Sequence, residues 1–274
     1  MPDLKVDYKC IENNLKAFLS DRSLTSDLQI LNDLSVKPIK YANPELIKLF
    51  IRNHNDDKEL KSPVDLIDGN TDLITNEYEG GYKIWEGLHD LIDYFIDFKV
   101  VDNFANHQGL HVLETVNPTP RPNRRYMTRF FTGFRVKIDV LINEDVIKYF
   151  TAVNVVLNSD LADSHHRDSH FHYLYGDWCA IADDIDSSGV KYDLIFTSET
   201  LYNCDNYEKL CKVFKSSLTP NGTVYIASKS HYFGVGGGTY SFIDFVEADG
   251  RFAAEISHEI ETPLIRHIIK LSLK

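Results

Sequence analysis

The sequence predicts an α/β protein built on a doubly wound, mostly parallel sheet that ends in antiparallel C-terminal strands. From residue 109 onward, short apolar runs alternate with segments of helical periodicity, which is typical of consecutive βαβ units. The last two apolar runs, 253–260 and 264–273, have the pattern of a closing antiparallel pair. In such sheets the ligand lies beyond the carboxyl ends of the strands, so motifs that follow strands are the site candidates.

The length of 274 residues and the hydrophobic content of 43% suit one large domain with an N-terminal extension. Residues 1–75 mix short helical patterns with polar breaks, which predicts an irregular, partly helical extension. Residues 76–274 carry the regular periodicity and are predicted to form the main domain.

Regular structure begins with an amphipathic helix. Apolar residues recur at helical spacing from Trp85, and acidic residues that include Asp90 lie on the opposite face. Strands are predicted for the apolar runs 111–113, 136–142, 192–197 and 223–228. Further helices are predicted at 145–156, 207–214 and 240–246, and the segment L-T-P-N-G at 218–222 predicts a helix stop followed by a turn.

Charge and cysteine usage exclude several classes of protein. The net charge of −12 opposes binding to phosphate backbones, so we expect no direct nucleic-acid partner. Four scattered cysteines without a C-x-x-C pair predict neither a disulfide framework nor a zinc knuckle. The first ten residues lack the apolar core of a signal peptide, and no stretch is long enough to cross a membrane. We therefore expect a protein of the cytoplasm, the nucleus or both, with no membrane partner and a monomeric state.

The segment Y-E-G-G-Y-K-I-W-E, residues 78–86, precedes the amphipathic helix. Its two glycines let the backbone bend closely around a ligand. The flat face of Trp85 and the carboxylate of Glu86 both suit a sulfonium cation or an adenosine. The alternative is a turn, a core tryptophan and a glutamate that stabilises the helix dipole, and for Trp85 taken alone this alternative is favoured.

Polar residues follow directly on the predicted strand 192–197. Ser198, Glu199, Tyr202 and Asn203 fall where the active site of an open α/β sheet lies. The alternative is a strand followed by an ordinary helix start, since polar groups at the carboxyl end of a strand are common. By itself the pattern therefore does not assign a function.

Two further segments invite a ligand interpretation that we reject. The run 229–238 resembles a dinucleotide-binding fingerprint, but Thr239 occupies the third glycine position and the run lies late in the chain. A flexible loop that faces a substrate fits this run better. Four histidines at 165, 166, 170 and 172 have no regular ligand spacing, so a solvated loop is favoured over a metal site and no metal is predicted.

Taken together, four segments resemble the histidine protein methyltransferases in order and spacing. They are the run at 78–86, G-D-W at 176–178, Y-D-L-I-F-T-S-E-T-L-Y-N at 192–203 and H-Y-F-G-V-G-G-G at 231–238. The resemblance covers the chain from about residue 72, so 76–274 would be a methyltransferase-like domain. It implies a Rossmann-like class I fold, S-adenosylmethionine as the cofactor, and methyl transfer to an imidazole nitrogen of a large-subunit ribosomal protein.

The resemblance also implies roles for individual residues. Glu114 matches the acid that ends the first strand of such enzymes, and Asn143 matches an asparagine that follows the second strand. Ser198 would touch the cofactor at a strand end. The remaining cofactor pocket would be lined by Lys83, Ile84, Trp85, Glu86, Gly176, Asp177 and Trp178. The target side chain would be faced by Glu199, Tyr202 and Asn203.

The chain departs from the family pattern in the loop that should hold the cofactor. Val116 and Pro118 occupy the positions of two glycines whose backbone amides approach the cofactor. Proline removes an amide donor, and valine disfavours a positive φ. Leu141 occupies the position of an acid that grips the ribose hydroxyls in relatives, and leucine makes no such contact.

Three explanations of this departure are open. The stretch is a mis-spliced or mistranslated part of an ordinary gene, or the protein is a non-catalytic binding module, or another loop substitutes and activity survives. The segment 115–135 contains no Asp or Glu and five arginines, in a chain with 41 acidic residues. This sharp local change of composition favours the first explanation.

Overall fold

A computed structural model describes residues 28–31, 39–42, 86–100, 110–115, 136–141, 170–174 and 177–274. For 28–31, 39–42, 136–141 and 170–173 the description is limited to the backbone. The described residues fall into two compact units. One contains an antiparallel pair, β1 (Leu28–Leu31) and β2 (Ile39–Ala42), in a region where the sequence predicts an irregular extension. The boundary predicted at residue 75 stays a prediction.

The second unit contains a seven-stranded sheet in the order β5-β4-β3-β6-β7-β9-β8. The strand bounds are β3 Leu110–Thr115, β4 Val136–Leu141, β5 His170–Leu174, β6 Tyr192–Ser198, β7 Leu218–Lys229, β8 Phe252–Ile260 and β9 Arg266–Leu273. The helices are α1 Glu86–Asp97, α2 Trp178–Ser188, α3 Tyr207–Ser217 and α4 Thr239–Asp249. A short 3-10 helix, Cys204–Asn206, precedes α3.

The pairing confirms the predicted fold class. The five strands β5, β4, β3, β6 and β7 are parallel, whereas β9 pairs antiparallel with both β7 and β8. The chain winds from β3 toward β5 on one side and continues through β6 and β7 on the other. The point where the winding reverses therefore lies between β3 and β6, which is where a doubly wound sheet binds its ligand.

Helices cover both faces of the sheet. On one face, Phe95 of α1 packs edge-on against Phe196 of β6 and Tyr225 of β7, with ring centroids 6.3 and 5.1 Å apart. On the other face, Ile195 and Val224 join a buried cluster with side chains of α2, α3 and α4. Ile195 and Phe196 are consecutive residues of β6 and pack on opposite faces of the sheet, because successive side chains of a strand point to opposite sides. Among the described residues, no helix has both the length and the apolar character needed to span a membrane.

The structure differs from the sequence prediction at 218–222. Helix α3 ends at Ser217, as the stop signal predicts, but the residues after it already belong to β7. Tyr192 pairs with Leu218 and Leu194 pairs with Thr223, so an irregularity in the ladder accommodates the extra residues of β7. Pro220 and Gly222 thus lie within the first residues of β7, at the irregularity, instead of forming a separate turn. The predicted helix at 145–156 lies outside the described residues.

Candidate active site

The candidate site lies at the carboxyl edge of the sheet where the winding reverses. Glu114 of β3 pairs with Phe196 of β6, so the ends of these two strands are neighbours. Glu114 is buried, and Thr115 beside it is buried with its hydroxyl unpaired within the described part of the chain. Ser198 ends β6 directly alongside, paired with Ala227 of β7. Buried polar groups are normally paired, so the Thr115 hydroxyl fits an edge that receives a polar ligand.

Glu199 follows β6 with an uncommon backbone conformation. Its φ is +57°, in the left-handed region that few non-glycine residues adopt. Its backbone N–H donates to the Ala227 carbonyl at 2.9 Å, so the residue is still tied to β7. Such conformations persist where surrounding contacts over-determine them, and they concentrate at functional sites.

The Glu199 carboxylate is held from two sides. Oε1 accepts a hydrogen bond from the backbone N–H of Gly87, in the first turn of α1, at 3.2 Å. Oε2 accepts from the Tyr232 hydroxyl at 2.6 Å. Because both oxygens face donors, the arrangement suits the ionised carboxylate. A carboxylate has further lone pairs, so Glu199 keeps the capacity to accept another hydrogen bond from a ligand.

Charged neighbours tune this carboxylate. Burial raises the pKa of Glu199, while the nearby Lys229 ammonium and the hydrogen bonds from Tyr232 and Gly87 act in the opposite direction. The Lys229 ammonium lies 3.5 Å from Glu86 Oε2, in the first turn of α1. Burial also acts to raise the pKa of Glu86, but its own backbone hydrogen bond and Lys229 outweigh this and lower it. The Glu86 and Glu199 carboxylates therefore both lie close to the Lys229 ammonium.

Tyr202 and Asn203 lie in the turn that follows β6. The Asn203 side-chain oxygen accepts from the Asp205 backbone N–H at 3.0 Å and so caps the short 3-10 helix. Its amide nitrogen retains two donor hydrogens. The Tyr202 carbonyl accepts from the Gly237 backbone N–H at 3.1 Å. Both residues thus lie at the predicted edge, and Asn203 forms an isolated bridge with Gly236.

The glycine-rich run 231–238, where the sequence predicts a flexible loop that faces a substrate, is hydrogen-bonded to this turn. Tyr232 N–H donates to the Gly237 carbonyl at 2.9 Å, which closes the loop on itself. A Cβ at Gly237 would lie 2.1 Å from the Leu201 carbonyl oxygen, so only glycine permits this close approach. At the tip, Phe233 is 80% exposed. The loop is therefore held at its base and presents an aromatic side chain to solvent.

The G-D-W segment supplies the start of α2. The exposed Asp177 caps the helix, since its Oδ1 accepts from the Cys179 N–H at 2.8 Å, and its Oδ2 lies 3.0 Å from the Lys209 ammonium. The hydrogen bond from Lys209 is the main cause of a lowered pKa of Asp177. Trp178, the first residue of α2, is buried in the core cluster together with residues of α3. A role of either residue in a cofactor pocket stays a prediction.

Several predicted site residues lie outside the described residues. They are Lys83, Ile84, Trp85, Asn143 and Gly176, and the segment that contains Val116 and Pro118 is also outside. Histidines 165 and 166 are outside as well, and for His170 and His172 only the backbone of β5 is described. Within the described ranges, no group of three or more His, Cys, Asp or Glu side chains is placed to hold a metal.

Sequence reasoning missed three residues of this edge. Gly87 and Tyr232 donate to Glu199, and Lys229 lies close to both Glu86 and Glu199. One signal was present in the sequence. Lys229 ends the strand next to β6, and the carboxyl ends of parallel neighbours meet at one edge of a sheet.

Curated proteins similar to this chain are named histidine protein methyltransferase 1 homologs. No family model matches the chain. The mouse protein named histidine protein methyltransferase 1 homolog is 33% identical over 228 residues, which cover 74% of this chain and 59% of the relative. A homolog of the same name from Dictyostelium discoideum is 32% identical over 207 residues, covering 74% of this chain and 61% of the relative. The chain thus spans less than two thirds of the length of these relatives.

Two of the solved structures that resemble this chain are methyltransferases. A phosphoethanolamine N-methyltransferase from Haemonchus contortus has a TM-score of 0.45 at 11% identity, over 66% of this chain and 41% of that one. Magnesium protoporphyrin IX methyltransferase from Synechocystis has a TM-score of 0.44 at 9% identity, over 77% of this chain and 92% of that one. The fold assignment rests on the strand order and pairing of the sheet itself. The strand order and pairing are those of a Rossmann-like α/β fold, and about three quarters of this chain is similar in sequence to proteins named histidine protein methyltransferase 1 homolog.

Proposed function

We propose that this chain is an S-adenosylmethionine-dependent protein-histidine methyltransferase. One observation carries the proposal: the S-E-T-L-Y-N segment, which is part of the resemblance to these enzymes, lies at the carboxyl edge where the sheet reverses its winding. The homology to proteins named histidine protein methyltransferase supports the same reaction.

The described residues fit a polar, cationic cofactor at this edge. Buried Glu114 and the unpaired Thr115 hydroxyl end β3, and Ser198 ends the adjacent strand. We propose that Glu114 and Ser198 hold the cofactor, with Glu86 adding negative charge at the start of α1. When bound, S-adenosylmethionine would supply a methyl group activated by its sulfonium, and the imidazole that accepts the methyl would carry the positive charge until its N–H proton is lost to solvent.

The residues of the chain act mainly by alignment and by matching this charge. Glu199 accepts a hydrogen bond from the imidazole N–H that does not react, which leaves the other nitrogen neutral and nucleophilic. Its carboxylate then stabilises the positive charge that develops on the ring. Tyr202 and Asn203 form the wall of the target pocket, and the Asn203 amide donors bind the substrate backbone.

The substrate and location are further parts of the proposal. We propose a histidine of a large-subunit ribosomal protein as the target, supported by the family resemblance. A chain with a net charge of −12 attracts a basic protein, so the charge is complementary to such a substrate. The enzyme would act as a monomer in the cytoplasm, the nucleus or both, without direct contact to nucleic acid.

The test is methyl transfer from radiolabelled S-adenosylmethionine to ribosomal protein, with Glu199→Ala as the active-site variant. Glu247→Ala is the matched control, because Glu247 is an exposed acid on α4. We expect label on histidine with wild type and the control, and a strong loss with Glu199→Ala. Full activity of Glu199→Ala would remove Glu199 from the site.

The second candidate function is a protein-binding module that keeps the fold but binds no cofactor. Val116, Pro118 and Leu141 favour it, because they replace groups that hold the cofactor in relatives. A thermal shift separates the two candidates, since ligand at 100 times its dissociation constant stabilises a protein by about 2.7 kcal/mol. A shift excludes the module, whereas no shift excludes the enzyme for this sequence. Resequencing the transcript across codons 115–142 then shows whether the replaced positions belong to the natural protein.

A further inference from the structure

The Tyr232 hydroxyl donates its proton to the Glu199 carboxylate. A phenol oxygen accepts two hydrogen bonds and donates one. Here the oxygen accepts from the Lys229 backbone N–H at 3.3 Å, and the Ser228 hydroxyl, which also lies 3.1 Å from the Lys229 carbonyl, is 3.4 Å away, both at the end of β7. The shortest of its hydrogen bonds is to Glu199 Oε2 at 2.6 Å, and an ionised carboxylate can only accept. The end of β7 thus orients the phenol so that it donates to the carboxylate.

We propose that Tyr232 is a positioning residue that fixes the Glu199 carboxylate in the site, acting together with the Gly87 amide. The consequence for catalysis rests on the proposed function, while the positioning itself is a property of the fold. Tyr232 acts through Glu199, since the group placed to meet the substrate is the carboxylate. The family resemblance gives this tyrosine no role.

The geometry shows why Glu199 needs a fixed partner. The backbone of Glu199 has a φ of +57°, which is a strained conformation for a residue with a Cβ. On the α1 side the fit is tight, because a Cβ at Gly87 would lie 2.7 Å from Glu199 Oε1. Tyr232 closes the opposite side. The two donors therefore determine where the carboxylate lies.

The same tyrosine links Glu199 to the turn that contains the other predicted target-facing residues. The backbone of Tyr232 forms hydrogen bonds with the backbones of Gly236 and Gly237. The Gly237 N–H in turn donates to the Tyr202 carbonyl at 3.1 Å. The loop 231–238 thus holds the Glu199 carboxylate through the Tyr232 side chain, and it holds the turn 202–203 through its backbone. A change at Tyr232 is therefore expected to disturb Glu199 first.

The charges around Glu199 predict a measurable consequence. Lys229 faces it from β7, Glu86 from α1 and Arg266 from β9, and these remain when the phenol is removed. Burial raises the pKa of Glu199, and the Tyr232 hydroxyl opposes that effect. Burial and the Glu199 charge raise the pKa of Tyr232 itself well above its usual value, so the phenol stays a donor at neutral pH. Loss of the hydroxyl should therefore raise the pKa of Glu199.

The variant is Tyr232→Phe, and the matched control is Tyr240→Phe, whose ring is 54% exposed on α4. The readout is a ¹³C NMR titration of the Glu side-chain carboxyl carbons, with the Glu199 signal assigned by its loss in Glu199→Gln. We expect the Glu199 midpoint to move to higher pH in Tyr232→Phe and to stay in place in Tyr240→Phe. Equal midpoints in all three proteins would overturn the proposal.

Activity provides a second readout. If wild type transfers methyl groups, the acid limb of its kcat profile should move to higher pH in Tyr232→Phe, so that raising the pH restores part of the lost rate. A pH-independent loss would indicate a merely structural role and would contradict positioning. If wild type transfers no methyl group, the proposed function fails, and the NMR titration still decides the role of Tyr232.

A second variant covers the case in which Tyr232→Phe does not fold. Gly87→Ala places a methyl group against Oε1 and displaces the carboxylate from its other donor. The Glu199 midpoint should again move to higher pH, because the variant weakens a hydrogen bond that lowers this pKa. An unchanged midpoint in Gly87→Ala would show that the two donors do not fix the carboxylate.

Discussion

At the scale of single residues, the buried hydroxyl of Tyr207 joins three segments of the chain. It accepts from the Gly238 backbone N–H at 2.9 Å, donates toward the Leu201 carbonyl at 3.1 Å and lies 2.9 Å from the Ser241 hydroxyl. The ring packs edge-on against Phe242 of α4 at 5.0 Å. The helical spacing of the sequence marks Tyr207 as a core residue, but only the structure shows what its hydroxyl holds together.

Tyr207→Phe should destabilise the protein by about 1–3 kcal/mol, because it leaves a buried N–H and a buried carbonyl without their partner. Urea unfolding at pH 7 measures the change, and Tyr240→Phe should stay within about 0.5 kcal/mol of wild type. Burial raises the pKa of Tyr207 to about 12. The unfolded tyrosine ionises near pH 10, so wild-type stability should fall as the pH rises above 10, and the variant should lose part of that dependence. Equal stability of the two variants at pH 7 would contradict this role.

At the scale of elements, the start of α2 shows how a motif residue serves the local structure. The side chain of Asp177 satisfies the backbone N–H of Cys179, one of the unpaired donors of the first helical turn. Its ion pair with Lys209 joins α2 to α3 but is largely exposed, so it adds little to stability.

Asp177→Ala should therefore lower the free energy of unfolding by about 1 kcal/mol, the usual cost of losing an N-cap. Asp177→Asn should cost less, since asparagine also caps helices and only the exposed ion pair is lost. Both are measured by urea unfolding without cofactor, and Asp244→Ala on α4 is the exposed control. If the asparagine variant were as unstable as the alanine variant, the ion pair would outweigh the cap.

At the scale of the whole sheet unit, one ion pair joins its first helix to its last strand. Arg266 of β9 binds both carboxylate oxygens of Asp90 on α1, across 176 residues of sequence, with the Nη2–Oδ1 contact at 3.0 Å. The side chains are only 17% and 10% exposed. The sequence places Asp90 on the polar face of α1, but the structure turns that position toward β9. Bidentate pairs of this kind fix geometry as well as charge.

Asp90→Ala should destabilise the protein by about 3 kcal/mol, because it leaves a mostly buried guanidinium without its partner. The double variant Asp90→Leu with Arg266→Met should be closer to wild type, since it removes both charges. Asp97→Ala, an exposed acid in the last turn of α1, is the control for loss of negative charge. Urea unfolding of wild type, Asp90→Leu, Arg266→Met and the double variant measures the coupling, and additive effects of the two single changes would contradict it.

The sequence by itself determined most elements of the sheet unit and the edge at which the site lies, but it missed strand β5, where it predicts a solvated histidine loop, and helix α2. Local periodicity reports which residues are buried, so α1, the central strand β6 and the antiparallel pair β8–β9 follow from it. The position of Ser198 and Glu199 at a strand end followed from the same pattern.

Only the tertiary structure decided the contacts that give the site its properties. These contacts join residues far apart in the chain. They are the hydrogen bonds of Glu199 with Gly87 and Tyr232, the backbone hydrogen bond from Gly237 to Tyr202, and the ion pair of Asp90 with Arg266. A repeating pattern of apolar and polar residues records which face of an element is buried. It does not record which distant side chain will meet that face, because that depends on how the strands and helices pack.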